Sequence, residues 1–466
     1  MLSDRAPGDA VASADSASAA PRLRSLPTPP QSPAPSSSPL TSLPTEIICT
    51  ILDHLAPYPA SLAACCVLSR SFTPIARARL YSVLVLRTHP YGQALPSTAS
   101  SLLDERSAQI LDVLTTSTWK NPRTQLANLP TKLDFDLLSH CSSAEIGEVL
   151  AQIFATCPAI SELRLGRGDH GHGIGYGGLA RAIQLRGEDQ APRLTVLNLE
   201  KCMGSAHTLA ALLVRLPHLQ ALRLGQFLLG EADLPPSASD ATKPVMPTFR
   251  LHTFVARHRL TCLAFTFCTA NSASTLRTVD LPICERNALD LSACPSLSSV
   301  TLFLFLSTAA SQPSQTSYFS NKRTSTTASS PAAAAAPSLA KLAHNLSLTL
   351  SSSPYLSHLT LRGAWDTSEG ALDLVRFGNL LDCLPDSLEA LAIRTELNSI
   401  AVVDWLEGIG KGKGKGGAGR LKRLQMWQKQ TYAVVKREFQ RGVRERVDLV
   451  AAQKGVTCEW FMYEKW

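Results

Sequence analysis

Aromatic residues make up only 6% of the 466-residue chain and charged residues only 18%. A core poor in rings must be filled with aliphatic side chains, and the conspicuous leucine favours repetitive packing over a compact enzyme core. The 12 cysteines are scattered from Cys49 to Cys458, and no two stand at Cys-x-x-Cys spacing. That excludes a zinc ribbon and a thioredoxin-type motif, and the mostly apolar settings read as buried thiols of a reducing compartment. No run reaches the roughly 18 apolar residues of a membrane span, and residues 1–40 lack the apolar stretch of a signal peptide. The sequence therefore predicts a soluble intracellular protein, cytoplasmic or nuclear. In that setting the Asn345-Leu346-Ser347 sequon is read as coincidence.

Chemistry-bearing constellations are missing as well. His170 and His172 do not fall at ligand spacing with cysteine or acidic partners, so a loop is expected there and no metal site is predicted. No nucleophile and base pair can be assigned, which leaves an enzyme without residues to carry the reaction. Gly173-x-Gly175-x-x-Gly178, with Glu200 ending the next strand, imitates a dinucleotide fingerprint. Its glycines begin eight residues beyond Leu165, whereas phosphate recognition needs the turn directly at the strand end, so a rim loop is the expected role. The stretch KGKGKGGAGR has the letters of a phosphate-binding loop without its register. No cofactor is predicted.

What the chain does contain begins with segmentation. Residues 1–40 and 307–338 are rich in Pro, Ser, Thr and Ala and offer too little apolar surface to offset ordering entropy, so both are expected to be disordered. Residues 408–419 read as a flexible basic loop. Between the first two tracts, Ile47, Ile48, Ile51, Leu52 and Leu55 recur at helical period, with Pro44 and Glu46 suited to the first turn. A second helix is expected in SLAACCVLSRSF, and Pro74 is expected to break it before a third piece, IARARLYSVLVL. Three short helices make a marginal core that must lean on something.

The order Leu43-Pro44-x-Glu46-Ile47-x-x-x-Ile51-Leu52-x-x-Leu55, then Leu62, Cys66, Leu68-Ser69-Arg70-x-Phe72 and Ala76-Arg77-x-x-Leu80-Tyr81, resembles an F-box over residues 41–86. Phe72 stands where the family usually has Trp. The resemblance implies docking on a Skp-type adaptor, and through it on a cullin and a RING subunit of a ubiquitin ligase. It also implies that Leu43, Pro44, Ile47, Ile51, Leu55, Leu62 and Phe72 are adaptor-facing or motif-core positions. On the residues alone, a plain helical cap on the following domain remains the alternative.

The remainder repeats. Leu194-x-x-Leu197-x-Leu199-x-x-Cys202 and Leu276-x-x-Val279-x-Leu281-x-x-Cys284 fit the leucine-rich pattern. Looser copies stand at Ile160-Leu163-Leu165, Leu219-Leu222-Leu224, Leu297-Val300-Leu302, Leu356-Leu359-Leu361, Leu388-Leu391-Ile393 and Leu421-Leu424-Met426, with Leu251-Phe254-Ala256 and Leu133-Phe135 weaker. Proline turns precede many of them, as at Cys157-Pro158 and Leu384-Pro385, and helical stretches such as EIGEVLAQIFATC, AHTLAALLVRL and LDLVRFGNLLDCL lie between. Such units stack because none can bury its apolar face alone. The expected fold is α/β: a small helical F-box, then residues 87–466 as a curved leucine-rich-repeat-like solenoid with a parallel concave sheet, interrupted by 307–338. The chain resembles fungal-type F-box proteins with degenerate repeats.

That fold predicts a non-catalytic substrate receptor with an unidentified protein target. Period-two alternation assigns Arg164, Asn198, Glu200, Arg223, Asp280, His358, Arg362, Arg394, Arg423, Gln425 and Trp427 to the open face. An acidic or phosphorylated target is expected nearest Arg362, Arg394 and Trp427. Two other classes stay open: an interaction scaffold without a ligase role, and a nucleic-acid binder using the basic segment 411–446, although that segment is better read as a loop and a solvated helix face followed by a last strand, VTCEWFMY.

Overall fold

The computed structural model describes residues 43–68, 72–88, 102–116, 126–137, 142–167, 176–187, 192–200, 202, 206–225, 246–257, 262–284, 289–305, 332–363, 384–394, 399–408, 420–429 and 434–463. The tail 1–40, most of the 307–338 tract, the Gly/Lys stretch 409–419, the helix expected in LDLVRFGNLLDCL, and Ser69, Arg70, His170, His172, Gly173 and Gly175 lie outside these residues.

Three helices open the chain: α1 (Thr45–His54), α2 (Pro59–Leu68) and α3 (Phe72–Leu80). Pro44 is the N-cap of α1, one position earlier than expected, and its carbonyl accepts the amides of Ile47 and Ile48. Pro74 breaks nothing: it stands in the first turn of α3, where a missing amide proton costs no helical hydrogen bond. The three helices close on Ile48, Leu52, Leu62, Phe72 and Ala76, a core separate from that of the rest of the chain.

The apolar run after α3 is not helical. Val83–Arg87 is strand β1, inside the segment expected to belong to the helical module, and it pairs in parallel with β2 (Lys132–Leu137). Ten more strands follow: β3 (Glu162–Arg167), β4 (Val196–Leu199), β5 (Ala221–Leu224), β6 (Thr253–Ala256), β7 (Thr278–Cys284), β8 (Ser299–Phe305), β9 (His358–Gly363), β10 (Ala390–Arg394), β11 (Arg423–Lys429) and β12 (Thr457–Tyr463). They form one twelve-stranded, all-parallel open sheet in which spatial order is sequence order. No strand order reverses among the described residues, so the sheet lacks the switch point at which doubly wound folds bind nucleotides.

A main-chain ladder sets the register. The Ser82 carbonyl accepts the amides of both Thr131 and Lys132, the Thr131 carbonyl those of Ser161 and Glu162, and the relay continues through Thr195, Gln220, His252, Arg277, Ser298, Ser357, Glu389 and Lys422 to Thr457. Hydroxyls reinforce it: Thr131, Ser161, Thr195, Ser298 and Ser357 each donate to the preceding carbonyl at 2.9–3.4 Å. Small polar residues therefore recur two places before the first core residue of a strand.

One sheet face and the connecting helices share a continuous core from Leu84 to Val456, including Leu163, Leu197, Leu222, Phe254, Val279, Val300, Leu359, Leu391 and Leu424. The residue before these turn prolines is buried, as at Cys157, Leu216, Cys294 and Leu384, and Pro158 and Pro217 stand between a described helix and the following strand. Helices α4 (Glu105–Thr116), α5 (Ser143–Thr156), α6 (Gly177–Arg186), α7 (Ala206–Val214) and α8 (Cys262–Thr269) occupy the earlier connections. Helix α5 starts at a capping box, Ser142 Oγ accepting the Glu145 amide while the Glu145 carboxylate accepts the Ser142 amide.

The 307–338 tract is shorter than its composition implies. Its last residues, from Ala332, already belong to α9 (Ala332–Ser351), because an alanine run propagates a helix once a packed turn nucleates it. Thr349 of α9 and Ser352 just beyond it accept the amides of Leu289 and Leu291, which ties the end of the helix to the segment after β7. Helices α10 (Ser399–Gly408) and α11 (Val434–Gln453) complete the array, the latter along the segment expected to be helical.

Candidate functional site

Two surfaces carry side chains that folding leaves unburied. The first is on α1, whose apolar stripe faces two ways. Ile48 and Leu52 enter the module's core, whereas Ile47 and Ile51 remain 47% and 46% exposed. Leu62 and Phe72 are core residues, Leu43 and Leu55 are half-buried against that core, and Pro44 is exposed. The seven positions assigned to the adaptor thus divide into framework and surface. Val67 and Leu68, at the end of α2, add exposed apolar area that the sequence reading left out of the site. Arg79 of α3 donates to Asp53 of α1 at 2.9 Å across the exposed side of the two helices.

The second surface is the sheet face opposite the helices. Register aligns Val85, Asp134, Arg164 and Asn198 along β1 to β4, Arg223 and Val255 on β5 and β6, then Asp280, Thr301, Thr360, Ala392, Gln425 and Glu459. All eleven residues predicted for this face lie on strands β3 to β11 or directly after them. Their partners divide them. Arg257, at the end of β6 and missed by the sequence reading, donates to Asp280 at 2.8 Å and lies 3.4 Å from Glu200. Arg423 and Gln425 both donate to Glu459 of β12, at 2.8 and 2.9 Å. Asn198 accepts the Glu200 amide and closes its own strand end. Ser357 and His358 share a 2.8 Å hydrogen bond.

Arg362 and Arg394 differ from these. They sit in register on β9 and β10, and no hydrogen-bond acceptor meets either guanidinium among the described residues. Arg394 lies over the Trp427 ring, 4.2 Å from its centroid, and Trp427 stacks on Phe461 with centroids 4.5 Å apart. Burial, and then the positive charge of Arg362, push the Arg394 pKa down, while Asp280 opposes the shift. Burial also pushes the Asp280 carboxyl up against the opposing pull of Arg257 and Arg362.

The remaining features are structural. Gly178 has no room for a side chain: a Cβ there would stand 2.7 Å from Ile146 Cγ2, and one at Gly147 would stand 2.6 Å from Arg181 Cγ. The described glycine of the apparent fingerprint thus lets α5 and α6 approach closely. Burial pushes the thiol of Cys157 up to about 11 and those of Cys202 and Cys268 up to about 12, so none is a nucleophile at neutral pH. On α11, Arg441, Arg444 and Arg446 face Glu445, Asp448 and Glu407, which neutralises much of the described part of the basic segment. No group of three or more His, Cys, Asp or Glu residues could hold a metal ion among the described residues, and no described helix is long and apolar enough to cross a membrane. Neither a protein-family model nor a curated protein matches the chain.

Proposed function

We propose that the chain is the substrate-recognition subunit of a cullin-RING ubiquitin ligase, with residues 43–82 acting as an F-box that docks a Skp-type adaptor. The observation that carries this reading is the double face of α1: Ile48 and Leu52 complete a core while Ile47 and Ile51, one position away, stay exposed beside it. Exposed branched residues grouped on a helix favour a partner that covers them. The F-box resemblance supplies the identity of that partner. The twelve-stranded sheet is read as a leucine-rich-repeat-like solenoid with a concave open face that holds a target protein. Transfer chemistry belongs to the partner subunits, and the receptor contributes proximity by raising the effective concentration of target at the ligase.

The test is co-purification of the full chain with a Skp-type adaptor and a cullin. Ile47→Ala together with Ile51→Ala is expected to cost about 2–4 kcal/mol of association with the adaptor. That corresponds to roughly thirty- to several-hundred-fold weaker binding. Unchanged adaptor recovery by a folded double variant rejects the reading. Adaptor without cullin assigns the chain instead to interaction scaffolds that use the adaptor for assembly alone.

A further inference from the structure

Across the carboxy-terminal half of the open face, one row of side chains runs Phe303, Arg362, Arg394, with Trp427 and Phe461 continuing it. Register thus places Arg362 and Arg394 on adjacent strands about 4.8 Å apart, and the positive charge of Arg362 is felt at Arg394. Placing two like charges together is unfavourable unless an anion joins them. Among the described residues Asp280 answers these charges only in part: it acts on both arginines but accepts a hydrogen bond from Arg257 alone, through Oδ2, and neither its buried Oδ1 nor the buried Arg362 Nε has a hydrogen-bond partner.

We propose that Arg362 and Arg394 form a receptor for one carboxylate on an acidic segment of a partner protein. Charge selects a carboxylate over a phosphate. Glu200 and Asp280 oppose Arg257, Arg362 and Arg394, which leaves the cluster with a single excess positive charge. A carboxylate cancels that excess, whereas a phosphate near its dianionic form overshoots it and is repelled by Asp280 and Glu200. Geometry agrees, because a planar guanidinium offers parallel N–H donors that match the two oxygens of a carboxylate. Trp427 holds Arg394 by its ring face, which leaves the edge donors of the guanidinium for the ligand.

This inference deepens the proposed receptor function and rests on it only for what the binding accomplishes. The experiment uses the purified full chain on immobilised synthetic peptides, each with one central glutamate among apolar residues, and on matched arrays carrying glutamine or phosphoserine at that position. Glutamate peptides are expected to be retained roughly tenfold over their glutamine counterparts, the effect of a charge-assisted hydrogen-bonded pair. Arg394→Gln should abolish the preference and Arg394→Lys, which keeps the charge without the fork, should reduce it. Arg277→Gln, an equal loss of charge at an exposed turn away from the row, should leave it unchanged. Equal retention of glutamate and glutamine peptides overturns the inference, as does stronger retention of the phosphoserine array or an Arg394→Gln protein that still discriminates. Adaptor binding, measured on the same preparations, separates the two readings: lost discrimination with intact adaptor binding rejects the carboxylate site alone.

Discussion

Among the described residues of the helical module, Ile48, Leu52, Leu62, Phe72 and Ala76 carry the buried core, while under the sheet one continuous, mostly aliphatic core runs from Leu84 on β1 to Val456 just before β12. The module has few contacts to lose and presents apolar residues outward. The sheet has a redundant core and presents charge outward. A stack of nearest-neighbour units spreads a local defect over its neighbours, whereas a core this small stands or falls with single side chains. Under the proposed function recognition follows the same division, since burial of apolar surface suits a constitutive partner and charge on a sheet face suits a selected one.

The sharpest way to break this comparison is to remove one large side chain from each region. Phe254 is fully buried on β6, its ring tilted against Phe265 at 5.8 Å, and Phe254→Ala is expected to destabilise the sheet by about 3–5 kcal/mol. Leu62→Ala should cost the module about 2–5 kcal/mol. Hydrogen exchange distinguishes the regions: the Leu62 variant should lose protection only in α1 to α3, while the Phe254 variant should lose it across several strands. Loss of protection throughout the chain in both variants would show a single cooperative unit.

A smaller effect separates packing from ligand binding at the glycine-rich stretch. Helix propensity alone would make Gly178→Ala stabilising by about 1 kcal/mol. The contact with Ile146 predicts the opposite sign, a loss of about 1–3 kcal/mol, measured by chemical denaturation. A gain in stability would show that α5 and α6 can move apart.

Ser142→Ala should have the smallest effect, about 1 kcal/mol, through loss of the cap on α5. It carries a pH signature. Hydrogen bonds from the Ser142 hydroxyl and amide hold the Glu145 carboxyl below its ordinary value. A depressed folded pKa contributes stability that is complete above the unfolded value of about 4.3 and is lost as pH falls through the folded value. The variant keeps only the amide hydrogen bond, so its stability should fall less steeply with acidification below that point. Parallel acid-denaturation curves would exclude the box as their source.

Much of this was legible without coordinates. The spacing of Leu194, Leu197 and Leu199 marks a strand because alternate residues must share one face, and the same spacing at nine places implies stacking. The open-face residues followed from that alternation. What escaped was decided by partners distant in sequence. VLVL after α3 is too short for periodicity to tell helix from buried strand, and β1 forms because β2 pairs with it across a gap of 44 residues between Arg87 and Lys132. Arg257 was missed because β6 carries Ala256 where a leucine would mark the strand end, yet its placement between Glu200 and Asp280 makes it the centre of the charge network.

The sequence by itself determined the class of the fold, the helical beginning and the face each strand residue would take, since these depend on local period and on the need of each unit to bury one side. Tertiary structure alone decided which of those residues stay available. Arg423 and Arg362 are alike in the sequence, each on a repeat strand, but Glu459 arrives beside the first from the last strand and no described acceptor meets the second. Likewise Ile48 and Ile51 belong to one stripe, and only the packing of α2 and α3 against α1 buries the former and leaves the latter outside. Availability depends on what the rest of the chain brings alongside, and spacing along the chain cannot encode it.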